Sequence, residues 1–367
     1  MKIACSADAH LGYRAMPAIR NGRNAREQDI EDAWGRVIDG MVAAQPEIAC
    51  FAGDLFHRAR VSNHALAAYL RGLGSLLWNT QAEVFVLTGN HEASRTAETL
   101  SPNALADVLD HPRLHLADRA STWSDEQIQV TLLPFQTGRS ETFRFPEKDP
   151  GKVNLLAIHG AIQAPGINPF YASESCPHIN DLARHFDVIA AGDFHDHMML
   201  ENDHGCLAFY AGSIEYSSSN FWPEAPKGWV LADTEARTAE FQPIQTRTVI
   251  DLQADDCTDA EALNTFLDAL LGCATIRQAK SQPIVRVVVP DFDRSERGGI
   301  SHDLLKRLKA KCLHFKLDVR TEKNGAGAGT ETFHARSLRD MFDEFFAEDP
   351  EDVRERAAAL VDERWAG

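Results

Sequence analysis

Short apolar runs alternate with amphipathic segments through the first two-thirds of the chain. Lys2–Ser6, Ile48–Ala52 and Glu83–Thr88 are short and β-rich, and between them Glu27–Ala44 and Asn63–Trp78 carry apolar residues at helical spacing. Ser62 stands where an N-cap belongs, and Ser101-Pro102 opens a third helix over Asn103–Leu109. Strand, helix, strand in repetition predicts an α/β layered domain. Further strands follow at Ile128–Leu133, Val153–His159, Asp187–Ala191, Leu207–Tyr210 and Gly228–Ala232, several of them without an intervening helix. The expectation is therefore an α/β (α+β) fold: a mixed sheet, or two sheets face to face, with helices outside.

The rhythm changes after about Gln245. Arg247–Leu252, Ile284–Val289 and His314–Thr321 predict strands, and Asp259–Leu271 and Ser301–Lys311 predict helices, a β-α-β-α-β run with the makings of a small domain. It ends at the glycine-rich stretch Asn324–Gly329. Beyond it, Ser337–Ala347 and Pro350–Trp365 predict two helices, the first with an apolar stripe of Leu338, Met341, Phe342, Phe345 and Phe346. That stripe either packs on the body of the protein or binds a partner. The expected division is 1–245, 246–332 and 333–367.

Composition narrows the class. At 44% apolar and 25% charged residues, the 367-residue chain is globular, and it holds no apolar run long enough to span a bilayer. The opening Met1–Ser6 reads as a strand rather than a secretion signal. Seven scattered cysteines without a CxxC argue against a disulfide framework or a thiolate zinc site, and the expected setting is cytoplasmic. A net charge of −17 argues against coating nucleic acid by bulk charge. The charge is uneven: Arg14, Arg20, Arg23 and Arg26 fall in an acid-free stretch, whereas Ala335–Gly367 holds ten acids against five arginines. The four arginines, with Arg58 and Arg60, are candidate phosphate contacts.

The candidate chemistry sits just after the predicted strands. Asp8-Ala9-His10, Gly53-Asp54-Leu55-Phe56-His57, Gly89-Asn90-His91-Glu92, His159-Gly160 and Gly192-Asp193-Phe194-His195 each deliver Asp, Asn or His where an α/β sheet opens onto a crevice. One such residue alone is more often a turn former or a packed side chain. Five in succession make a metal centre. Hard oxygens and imidazoles without cysteine suit Mn²⁺, Fe²⁺, Mg²⁺ or Zn²⁺ in a catalytic site. No glycine-lysine loop of the nucleotide-cradling kind is present, so ATP hydrolysis is not expected of this chain.

The same motifs, in the same order, resemble the calcineurin-like metallophosphoesterase superfamily. Asp8-Ala9-His10-Leu11-Gly12, Gly53–His57 and Tyr210-Ala211-Gly212-Ser213-Ile214-Glu215 are similar to the SbcD family, the nuclease component of SbcCD-type double-strand-break repair complexes. The resemblance implies a two-sheet sandwich with a small capping domain and a C-terminal helix pair. It implies two divalent ions, manganese first and magnesium or iron(II) next. Asp8, His10 and His195 would hold one ion, Asn90 and His159 the other, with Asp54 between them. His91 would face the scissile phosphate and His57 would give a proton to the leaving oxygen. The family's fifth motif usually reads Gly-His-x-His. Here Asp193 takes the first histidine's place, and a third carboxylate beside Asp8 and Asp54 would favour Mn²⁺ or Mg²⁺ over Zn²⁺. A rival alignment uses His195 and His197 as the pair.

The implied activity is 3′-to-5′ degradation of DNA from double-strand ends and endonucleolytic cutting of single strands and hairpins. The implied partners are a second copy of the chain and an SbcC-type ATPase gripping the C-terminal helices. Two alternatives compete: a small-molecule phosphodiesterase or phosphatase of the same superfamily, and a DNA-binding protein of low activity.

Overall fold

In the computed structural model the sequence builds two six-stranded sheets packed face to face. The structure describes residues 1–93, 100–135, 145–168, 176–217, 225–273, 276 and 281–320. From edge to edge the first sheet runs Thr238–Pro243, Gly228–Asp233, Lys2–Ser6, Ile48–Phe51, Glu83–Leu87, Leu114–Ala117. The last four of these are parallel, and the first two join antiparallel. The second runs Met198–Met199, Leu207–Tyr210, Val188–Gly192, Val153–His159, Ile128–Leu133, Ser121–Ser124, with its four central strands parallel.

Strand alternation decides which side chain enters which layer. Ile3, Cys5, Ile48, Cys50 and Phe85 face Val130, Leu155, Ala157, Val188 and Phe209 of the other sheet in one shared core. Their neighbours Ala4, Ala49, Phe51, Val84 and Val86 turn outward onto the helices Ala25–Ala44 and Asn63–Asn79. Leu156, Ile158, Ile189 and Ala208 do the same for the short helix Ile179–Ala183 and Phe186. Strands buried on both faces read as continuous apolar runs, which is why they were legible.

The two long helices start on side-chain caps. Asn24 accepts from the amides of Arg26 and Glu27, and Ser62 from that of Ala65. They approach closely at Gly72, where a Cβ would lie 2.2 Å from Trp34 Nε1. Trp34 is buried and donates to the Ala68 carbonyl at 3.1 Å. The expected helix after Ser101 is instead a 3₁₀ helix, Pro102–Leu109.

The predicted β-α-β-α-β run is present. Val249–Gln253, Ile284–Val289 and His314–Val319 form a parallel three-stranded sheet carrying the helices Ala260–Gly272 and His302–Lys311, with a core of its own around Leu263, Leu267, Val285, Val287 and Leu308. It lies within one compact unit with the two sheets. The two predicted C-terminal helices, with the stripe Leu338–Phe346, lie outside the described residues. No described helix is long and apolar enough to cross a membrane.

Candidate active site

Parallel strands end on one edge, so the loops that follow them converge. Lys2–Ser6, Ile48–Phe51 and Glu83–Leu87 lead to Asp8 and His10, Asp54, and Asn90 and His91; Val153–His159 and Val188–Gly192 deliver His159, Asp193 and His195. The first two loops are tied backbone to backbone, Asp8 N–H to the Gly53 carbonyl at 3.0 Å and His10 N–H to the Asp54 carbonyl at 2.9 Å.

Four of these residues hold backbone that side chains seldom adopt. Asp8 and His10 have φ of 50°, Asp54 52° and Asp193 110°. Such positions cost on the order of 1–3 kcal/mol each and persist only where the surroundings impose them. Gly89 serves the same crowding, because a Cβ there would lie 2.1 Å from Asp54 Oδ1.

The side chains fall into two clusters that share Asp8, with Asp54 close to both. His10 Nε2 faces His195 Nε2 at 3.0 Å, and Asp8, His10 and His195 form one potential ligand set. Asp8, Asp54 and His159 form another. Asp54 lies between: Oδ2 is 3.9 Å from His10 Nε2 and 3.8 Å from His91 Nε2, while Oδ1 is 3.5 Å from His159 Nε2. Asn90 Oδ1 is 3.0 Å from His159 Nε2. Asp193 donates its N–H to both Asp8 oxygens, at 3.2 and 3.1 Å, and its Oδ1 lies 3.9 Å from His159 Nε2. His197 turns away, with Nδ1 on the Tyr210 carbonyl at 2.8 Å and its ring stacked on Phe241.

These groups fit a pair of cations. Asn90 presents its oxygen to acceptors only, and satisfying hydrogen bonds would require its amide to turn over toward both Asp54 oxygens and His159. The His10 Nδ1 is buried without a partner. Among the described residues no lysine or arginine pairs with Asp8, Asp54 or Asp193. The electrostatics agree. Burial, and then Asp54, push Asp8 well above the usual carboxylate range. Burial raises Asp193 too, with His159 opposing and Asp54 adding. Burial and the neighbouring His195 drive His10 well below its ordinary value; burial and Lys227 bring His195 down to about 4. A site that resists both signs of its own charge, yet converges oxygen and nitrogen lone pairs, is one a divalent cation relieves.

His57 and His91 stand at the mouth. His91 is 38% exposed, and its Nδ1 meets the His57 carbonyl at 3.0 Å. Donation to that carbonyl leaves Nε2 bare and aimed at the Asp54 side. Burial and His91 bring His57 down to about 4.

Three structural supports escaped the sequence reading. Glu92, fully buried, accepts from the amides of Leu55, Phe56 and Gly89 and from Asn103 Nδ2, stapling the Asp54 loop to the Asn90 loop. Its place beside His91 was the available signal. Lys227, almost wholly buried, donates to the His195 carbonyl at 2.8 Å and to Asp196 at 3.0 Å, and nothing in the sequence marked it. Glu215, from the Gly-Ser-Ile-Glu segment, accepts from Arg26.

That contact corrects the basic patch. Arg26 is fully buried: Nη1 donates to Asp29 at 2.8 Å, and Nη2 to Glu215 at 3.2 Å and to the Tyr216 carbonyl at 2.7 Å. It is not placed to touch DNA phosphate. The helix that follows supplies acids to the others as well. Arg14 donates twice to Glu27, Arg20 to Gln28 and Asp32, and Arg23 to Glu31, although Arg14 remains 57% exposed. Arg58 and Arg60 are exposed and carry no ion pair among the described residues, and Arg58 adds to the lowering of His57.

A profile of the calcineurin-like phosphoesterases matches residues 1–197. The DNA double-strand break repair protein Mre11 of Methanocaldococcus jannaschii is 26% identical over 292 residues, 76% of this chain and 74% of that one. That of Thermoplasma acidophilum is 26% identical over 260 residues, 66% of this chain and 65% of that one. The SbcD component of the nuclease SbcCD of Staphylococcus saprophyticus is 22% identical over 289 residues, 71% of this chain and 73% of that one.

Proposed function

The chain belongs to the calcineurin-like phosphoesterase family and is a metal-dependent phosphodiester hydrolase; from that premise we propose that its substrate is DNA and that it acts as a two-metal repair nuclease. The convergence of seven lone-pair donors from five strand ends carries the two-metal reading, and the similarity to the Mre11 and SbcD proteins supports DNA as the substrate. Asp8, His10 and His195 would hold one divalent ion, and Asn90, His159 and Asp193 the other, with Asp54 close to both. Two such ions, when bound, activate water and neutralise the phosphodiester. Three carboxylates in the set favour Mn²⁺, with Mg²⁺ or Fe²⁺ as substitutes.

The chain's own groups then divide the work. His91, oriented by the bond from Nδ1 to the His57 carbonyl, steadies charge developing on the scissile phosphate as the imidazolium, with a proton on Nε2 as well. His57 protonates the leaving oxygen. At about 4 it is neutral near pH 7, so this role requires the substrate's anionic charge to raise it. Arg58 and Arg60 are the phosphate contacts best supported, with Arg14, Arg20 and Arg23 offering what their ion pairs leave exposed.

The activities we assign are 3′-to-5′ degradation from duplex ends and cutting of single strands and hairpins. Residues 246–332 orient duplex DNA. Residues 333–367 bind an SbcC-type ATPase, and the active form is a homodimer. The test is a manganese titration with end-labelled duplex and hairpin DNA beside a chromogenic phosphodiester. DNA cutting that is abolished by chelation and by Asp54→Asn is the expected result. Turnover of the small ester with intact DNA would instead make the protein a small-molecule phosphodiesterase.

A further inference from the structure

His10 belongs to two ligand clusters. In each, the donor atoms lie within 4.8 Å of one another: Asp8, His10 and His195 in one, and His10, His57 and His91 in the other. The second is made of imidazole alone. Its rings are close, with centroids 4.8 Å apart for His10 and His91, 5.2 Å for His57 and His91 and 5.5 Å for His10 and His57. It is also held in place. The His57 N–H donates to the Leu11 carbonyl at 3.1 Å, its ring packs edge-on to Tyr13, and His91 is fixed through the His57 carbonyl. The Nδ1 atom of His57 is buried without a hydrogen-bond partner.

The two clusters differ in chemistry. A carboxylate-bearing set suits Mn²⁺ or Mg²⁺, whereas three neutral imidazoles suit zinc, nickel or copper(II). We propose that His10, His57 and His91 form an alternative site that takes a borderline transition ion such as Zn²⁺, and that this site competes with the Asp8–His195 position for His10. Occupying it removes a ligand from the catalytic pair and ties up the two histidines assigned to the substrate. Zinc bound there holds the enzyme in an inactive form. The inference rests on the proposed function at one point, that His10 serves the first catalytic ion.

The test reads metal rather than activity. Metal-free protein is loaded with two equivalents of Mn²⁺ and titrated with Zn²⁺. Released Mn²⁺ is followed by its solution EPR signal, and bound zinc by elemental analysis after gel filtration. In the wild type, zinc should release manganese at a concentration at least about tenfold lower than in His57→Asn or His91→Asn, each checked for native circular dichroism. Equal zinc dependence in the three proteins would overturn the proposal, since ordinary displacement at Asp8 and Asp54 does not involve His57. Asp8→Asn separates the two readings. It should weaken manganese binding and keep the zinc, and loss of both would count against the three-histidine site. A wild type that takes up no manganese but binds zinc in a His57-dependent way would overturn the proposed function and with it the competition, and leave only the three-histidine zinc site standing.

Discussion

Arg247 and Asp29 lie 218 positions apart and meet through two hydrogen bonds of 2.6 Å, from Nε and Nη2 to the two carboxylate oxygens. Both side chains are nearly excluded from water. Asp29 also holds Arg26, which holds Glu215, so four charges lock the start of the three-stranded sheet's segment to the first long helix and to the loop behind His195.

Breaking that lock should be expensive. Asp29→Ala leaves Arg247 buried without its counter-ion and Arg26 with Glu215 alone, and a loss of about 3–5 kcal/mol is expected. Urea unfolding of the variant against the wild type measures it. The double variant Asp29→Leu/Arg247→Met should recover part of the loss, because apolar partners need no desolvated counter-charge.

The shared carboxylate should control both ions. Asp54→Asn should lower DNA cleavage by at least about a hundredfold, or about 2.7 kcal/mol of barrier. In chelator the same variant should melt higher than the wild type, since it relieves the repulsion that raises Asp8. The manganese-induced rise in melting temperature should vanish. A wild-type protein that manganese fails to stabilise would contradict the assignment.

Lys227 acts from behind the site. Its ammonium fixes the His195 carbonyl without reaching the ligand-bearing face. Lys227→Met should lower manganese affinity about 10–100-fold, the usual cost of losing a group that orients a ligand. Lys227→Arg should restore part of it. Calorimetric manganese titration of the three proteins distinguishes this positioning role from a general loss of stability.

Glu27 sets an acid limit. Burial alone would raise its carboxyl, but the hydrogen bonds from Arg14 and Ser62 and the charges of Arg14 and Arg23 hold it below the ordinary range. A carboxyl lowered by folding contributes stability that is whole above its unfolded value, about 4.3, and is lost as pH falls through the folded one. The wild type should therefore lose stability in that window. Glu27→Gln, less stable at pH 7, should show a flatter decline. Unfolding midpoints from pH 7 to pH 3 provide the comparison.

Most of the sandwich was legible because its central strands are apolar runs flanked by amphipathic helices. Leu114–Ala117, Ser121–Ser124 and Thr238–Pro243 were not, because each holds an outer place in its sheet and most of its side chains stay partly exposed, so no long apolar run marks it. The ligand candidates stood out because chemistry-bearing residues repeated after strand ends. The roles of Arg26 and Lys227 did not, because charge counted along a chain says nothing of the acids that folding brings alongside. Glu27, Asp29, Glu31 and Asp32, in the first turns of the helix that follows, neutralise the arginines just before them.

Asp8, His10, Asp54 and Asn90 hang from one sheet, and His159, Asp193 and His195 from the other. Their mutual spacing is thus set by how two separate slabs interlock along Ile3, Cys5, Phe85, Leu155, Val188 and Phe209. A sideways slip of a few tenths of an ångström between the slabs would pull the two halves of the centre apart. The greasy seam between them, far from any reacting atom, is the ruler against which the chemistry is measured.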